Sequence, residues 1–256
     1  MAIIIKTKQE IELLREGGKR LATILHAVGK AVKPGVTTLE LDTLAEKLIR
    51  DGGDEPAFKG YKPEGHRSAF PASLCTSVNN EVVHGIPKSS MVLKEGDIVS
   101  IDLGLKHKGL FTDHALTVAV GSISKKDEEL LRVTRDALYE GIHAIVPGAR
   151  IGDIGHAVEQ LAKKHKYGNV RVLAGHGVGK YIHEDPFIPN YGKKGTGMVL
   201  KPGMVIAIEP MFNHGGDDVV VASDHWTFKT ADGKRSAHFE HTVLITEDGA
   251  EILTEI

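Results

Sequence analysis

Four acids sit where acids are costly. Ile98 to Leu103 reads IVSIDL, an alternating apolar run that predicts a buried strand with Asp102 inside it. A lone charge away from water is expensive, so Asp102 needs a partner. Asp113 follows and opens a second apolar run, Ala115 to Val120. The design then returns. KEGDIVSID ends on Asp102, and KPGMVIAIE, from Lys201, ends on Glu209. Asp113-His114 leads into ALTVAV, and Glu240-His241 leads into TVLIT. Acids on neighbouring strands repel unless a cation or a shared proton lies between them. No matching set of Lys or Arg occupies the same strands. Carboxylate-rich sites suit hard or borderline divalent cations. Bridging carboxylates can hold two of them about 3.5–4 Å apart, the geometry of two-metal hydrolases.

Histidine is the expected complement. His176 lies in AGHGVG, which reads as a loop whose small residues on both sides of the ring let the backbone pack closely around an ion. His183 precedes Glu184-Asp185-Pro186, and His84 ends the run VVH before Gly85. Each alone reads as a hydrogen-bonded structural residue. Among four paired acids they read as ligands or proton-transfer groups. Two other motifs fail. GHGVGK lacks the first glycine of a phosphate loop, at Ala174, and has Tyr181 where the magnesium-binding hydroxyl belongs. His183-Glu184 does not continue to HExxH, because Phe187 fills the second His position. Cys75 has no obvious base beside it and reads as a pocket or core residue.

The elements that must position these groups also occur twice. Thr7 to Glu10 and Thr37 to Glu40 are capping boxes, each opening an amphipathic helix. Pro34-Gly35 ends the first helix and Gly52-Gly53 the second. Ser124 to Asp127 starts a third helix, which Pro147-Gly148 stops. In the fourth, Ile154, Val158, Glu159 and Leu161 stand where the second has Leu41, Ala45, Glu46 and Leu48. Helix and strand copies repeat at nearly one offset, which argues for a duplicated half-domain with acids facing across a pseudo-twofold axis. Residues 54–72 and 184–203 read as Gly/Pro-rich connections. Leu74 to Val83 reads as a strand broken at Asn79-Asn80, and two strand-like runs flank Ser223-Asp224. The expectation is a single two-layer α+β domain over residues 1–256.

Composition narrows the function class. The 256 residues carry a formal charge of −2, which gives no electrostatic case for nucleic acid or an anionic membrane. A 41% hydrophobic and 26% charged chain suits a globular protein. One cysteine excludes an internal disulfide and fits a reducing, cytoplasmic setting. No apolar run reaches membrane-spanning length, and Ile3-Ile4-Ile5 is too short for a signal peptide.

Together the motifs resemble methionine aminopeptidases of the short bacterial type (type I). The likeness covers essentially the whole chain. It rests on TSVNNEVVHGIP (Thr76 to Pro87), GDIVSIDLG (Gly96 to Gly104), Asp113, GHGVGKYIHEDP (Gly175 to Pro186), IEP (Ile208 to Pro210) and FEHTV (Phe239 to Val243). It implies the pita-bread (creatinase/aminopeptidase) fold, with two halves related by a pseudo-twofold axis. It implies two divalent metal ions per chain (Co, Mn, Fe or Zn) on Asp102, Asp113, His176, Glu209 and Glu240, with Asp113 and Glu240 bridging. It implies removal of the initiator methionine from nascent chains, with a small second residue preferred. It implies that a water between the metals would attack the first peptide bond, with Glu209 shuttling a proton, His183 steadying the developing charge and His84 meeting the scissile amide. Phe70, Cys75, Ile182 and Trp226 are the pocket candidates. The chain itself begins Met1-Ala2, a start such an enzyme would process. A monomer is expected. A co-translational enzyme would meet the ribosome transiently, although no motif carries that contact.

Three features depart from the family pattern. Lys62 to Ala69 is a few residues longer than usual and leaves Tyr61 unplaced. Ile182 stands where an aromatic is common, and His114 where a smaller residue is common. Two rival readings remain. An Xaa-Pro peptidase of the same fold usually carries an extra N-terminal domain. A non-enzymatic binding protein of this fold would lack ligands or show a basic surface.

Overall fold

The computed structural model describes residues 3–256, so Met1-Ala2 lies outside the described residues. Four helices flank one large sheet: α1 (Lys8–Ala31), α2 (Thr38–Asp51), α3 (Lys125–His143) and α4 (Ile151–His165). Both capping boxes form: Thr7 Oγ1 accepts from Glu10 N–H at 3.3 Å, and Thr37 Oγ1 from Glu40 N–H at 3.2 Å. Ser124 caps α3 in the same way.

The sheet is antiparallel at every pairing. Its central path runs Glu55–Pro56, Ile98–His107, Leu110–Ala119, Glu240–Ile245, Val205–Ile208, Ala174–Gly177, Glu184–Pro189. Leu74–Val78 pairs beside Ile98–His107, and Ala250–Ile252 beside Glu240–Ile245.

Alternation along the strands then sorts the side chains. Val99, Ile101, Leu103 and Leu105 pack under Leu21, Leu25, Leu41 and Ile49 of α1 and α2. Ile206, Ile208, Val243 and Ile245 pack under Leu130, Leu138, Ile154 and Val158 of α3 and α4. Each such buried aliphatic side chain contributes about 1.5–3 kcal/mol, which offsets a charge-lined opposite face. On that opposite face, register places Cys75, Asp102, Ala115 and Glu240 in one row across four strands.

The duplication is visible bond for bond. Gly96 and Gly203 both have φ +86°, the left-handed region that glycine enters without strain. Gly96 N–H donates to Val120 O and Gly203 N–H to Ile245 O, each at 2.9 Å. Val120 N–H returns to Asp97 O and Ile245 N–H to Met204 O, again at 2.9 Å. The matching turns therefore launch matching strands, and those strands end in Asp102 and Glu209.

Three expectations need correction. Asp113 lies inside the strand Leu110–Ala119 rather than opening it. The glycine-rich segment around His176 is a strand, Ala174–Gly177, and the stretch read as a connection after His183 begins with the strand Glu184–Pro189. Glycines and prolines had hidden both. Asn79, at φ +56°, does break the strand at the expected place.

Candidate metal centre and active site

The polar face of the sheet gathers all five expected ligands. Among the described residues, three overlapping groups bring ligand atoms within 4.8 Å of one another: Asp113, His176 and His183; His176, Glu209 and Glu240; Asp102, Asp113 and Glu240. His176 Nε2 lies 3.6 Å from Glu209 Oε1 and 4.0 Å from Asp113 Oδ2. Asp113 and Glu240 each belong to two of the groups.

Asp102, Asp113 and Glu240 are buried. Asp102 Oδ1 and Glu240 Oε1 have no hydrogen-bond partner. Native proteins seldom leave buried carboxylate oxygens unpaired. Burial, then mutual repulsion, pushes Asp102, Glu209 and Glu240 well above the carboxylate range. Burial lifts Asp113 to about 7. Without cations this cluster holds protons. The orphaned oxygens and the oxygen-plus-imidazole donor set fit divalent ions.

The three expected histidines, His84, His176 and His183, are tuned toward neutrality. Loss of solvent lowers His176 and His84 to about 4 each, and it also lowers His183, whose side chain remains open at the cavity mouth. A neutral ring is what a metal or a hydrogen-bonding role needs. His183 Nδ1 lies 2.7 Å from the hydroxyl of Tyr61, and its ring meets His176 edge-on at 4.5 Å. Tyr61, which the longer loop left unplaced, thus stands on the cavity wall beside His183.

The cavity, about 360 Å³, joins the acids to an apolar end. Phe70, Cys75 and Trp226 line it as expected, together with Phe58, His66 and Phe228. Phe70 meets Trp226 edge-on at 5.2 Å, and His66 lies over Trp226 at 4.1 Å. Ile182 does not line the cavity; it is buried in the apolar cluster behind the wall. Burial, with Asp102 and Asp113 nearby, pushes the Cys75 thiol up, so it stays protonated. His114 is likewise displaced from the site. Alternation turns it to the helix face, where it stacks on His241 at 4.6 Å and its Nδ1 lies 2.5 Å from the carbonyl of Glu240.

Besides Phe58, His66 and Phe228, one histidine beside the acids escaped the sequence reading. His238 is buried, and neither ring nitrogen has a hydrogen-bond partner. Its Nε2 lies 3.5 Å from Glu209 Oε2 and 4.0 Å from Glu240 Oε2, and burial lowers its pKa to about 3. The available signal was its spacing, two residues before Glu240, although the two lie on successive strands, Ser236–His238 and Glu240–Ile245.

This geometry has relatives. A model of metallopeptidase family M24 matches residues 12–247, and the chain belongs to that family. Within it, its similarities are to bacterial methionine aminopeptidases. The chain is 48% identical to methionine aminopeptidase 1 of Bacillus subtilis, over 99% of this chain and 100% of that one. A crystal structure of methionine aminopeptidase from Thermotoga maritima matches with TM-score 0.95 and 47% identity, covering 100% of each chain. Prolidase from Pyrococcus furiosus shares the pita-bread fold at 28% identity, TM-score 0.77, over 99% of this chain and 66% of that one.

Proposed function

We propose that the protein removes N-terminal methionine from peptides and nascent proteins, preferring a small second residue. In this reading Asp102, Asp113, His176, Glu209 and Glu240 hold two divalent ions, with Mn, Fe, Co and Zn all suited to the donor set. The observation that carries it is the joining of three overlapping ligand groups to an apolar cavity end. Asp113, Glu240 and His176 are each shared by two groups, and of these only the carboxylates have two oxygens with which to bridge, which supports that role for Asp113 and Glu240. His176 with Glu209 would complete one shell and Asp102 the other.

When bound, the ions supply an acidified water and polarise the scissile carbonyl. The side chains do the rest. The substrate's free, uncharged α-amine would bind at one of the two ions, which would limit cleavage to the chain end. Phe70, Cys75, Phe58 and Trp226 take the methionine side chain, because a thioether packs well on aromatic faces. With the Tyr61 hydroxyl as donor to His183 Nδ1, Nε2 carries the ring proton and would donate to the carbonyl oxygen as charge develops. His84, at φ +58°, meets the amide nitrogen. Glu209, whose carboxyl is raised by burial and by Asp113, moves the proton.

The test is hydrolysis of Met-Ala-Ser by chelator-stripped protein, with Mn or Co then restored and Ala-Pro alongside. Release of free methionine on metal addition, with Ala-Pro untouched, is the expected result. Cleavage of Ala-Pro instead would move the function to the proline-specific relatives. No turnover of either by folded, metal-loaded protein would leave a binding role.

A further inference from the structure

Lys6 is an odd place for a charge. The side chains of Lys6 and Glu184 are 1% and 2% exposed, with Nζ 2.5 Å from Oε2. Burial pulls the Lys6 pKa down, and Glu184 pulls it back up. The other oxygen of Glu184 accepts the N–H of Lys180 and, at 2.9 Å, that of Tyr181. One carboxylate thus gathers the turn from Lys180 to Glu184. His183 sits in this turn, between buried Ile182 and Glu184. Gly179 yields to the same lysine: a Cβ there would lie 2.4 Å from Lys6 Cε, at φ +139°. The Lys6 backbone ties in a second element. Its N–H donates to Gly203 O at 2.8 Å, in the turn that launches Val205–Ile208 toward Glu209.

We infer that Lys6 is a positioning residue: through Glu184 its buried ammonium sets the placement of His183, and its backbone locks that turn to the strand leading to Glu209. The inference rests on the aminopeptidase reading above. Removing one member of a buried pair strands the other as a bare charge. The turn must then open to let water reach Glu184, and His183 moves with it. A displacement of about 1 Å at a catalytic group costs up to roughly 100-fold in rate. A merely structural ion pair would lower the melting temperature and leave kcat per folded molecule unchanged.

The experiment compares Lys6→Met, Lys6→Met/Glu184→Gln and wild type on Met-Ala-Ser, all metal-loaded and shown folded by circular dichroism. Lys6→Met should lose about 10- to 100-fold in kcat with KM within about twofold. The double variant, with no stranded charge and an amide oxygen still facing Lys180 and Tyr181, should recover most of kcat. If Lys6→Met does not fold, Lys6→Gln, which keeps a donor toward Glu184, carries the same expectation of reduced kcat. A folded Lys6 variant with wild-type kcat, or a double variant no better than the single one, overturns the inference while the parent reading stands. A silent wild type overturns both.

Discussion

The two halves share a scaffold and divide the labour. Each sends a strand from a glycine turn to an acid, and each adds a second acid on the next strand: Asp102 and Asp113 in one, Glu209 and Glu240 in the other. What flanks the acids differs. In the first half the flanking strand Leu74–Val78 offers Cys75, and the preceding loop offers Phe58, Tyr61 and Phe70. In the second half the flanking strand Ala174–Gly177 offers His176, and His183 and His238 stand nearby. Duplication accounts for the carboxylate cage. Divergence accounts for the flanks: the first half lines most of the apolar end, with Trp226 and Phe228 added by the second, and the second half brings His176, His183 and His238, with His84 added by the first.

The largest effect should come where the halves meet. Asp113→Ala or Glu240→Ala removes a carboxylate shared by two ligand groups, and should abolish metal-dependent turnover. Measured metal content should fall with it; full activity with full metal content would break the picture of a joint cage. His183→Ala tests the imidazole half and should reduce kcat about 10²–10³-fold, with the metal content kept.

Proton competition sharpens the same comparison. Burial raises Asp113 to about 7, whereas His176, lowered to about 4, is already neutral at pH 7. A raised carboxyl keeps its proton below its folded pKa, so ions must displace protons there. Metal affinity should therefore weaken as pH falls from 8 to 6, and calorimetry in buffers of different ionisation enthalpy should register proton release. A flat affinity over that range would place the competing protons elsewhere.

Smaller effects belong to the gripping half. Phe70→Leu should raise KM for Met-Ala-Ser by roughly 10-fold, the scale of modest changes in an apolar pocket, with kcat nearly kept. Tyr61→Phe, which removes the hydroxyl at His183 Nδ1 but keeps the ring, should lower kcat by only a few-fold.

The scaffold was legible because repetition is a sequence property. The KxG turns, the alternating runs after them and the capping boxes recur at nearly one spacing, and burial forces the acids to be explained. The site was legible where a residue type contradicts its surroundings, as with Asp102 in an apolar strand. Legibility failed where type and surroundings agree. Ile182 looks equally at home on a cavity wall or behind it, and only the three-dimensional packing decides. His238 stands next to Phe239 in an unremarkable run, and only its register across from Met211 and beside Glu240 gives it meaning. Lys6 lies far along the chain from Glu184, and no local pattern announces a buried pair. The longer Lys62–Ala69 loop obscured Tyr61 because an insertion shifts register without changing composition.

The most direct measurement is a manganese titration of chelator-stripped protein, following bound ions per chain and release of methionine from Met-Ala-Ser in the same samples. The account predicts two ions per chain at saturation, with turnover rising as the site fills. Methionine release by the stripped protein alone, or saturation with no turnover, would contradict it.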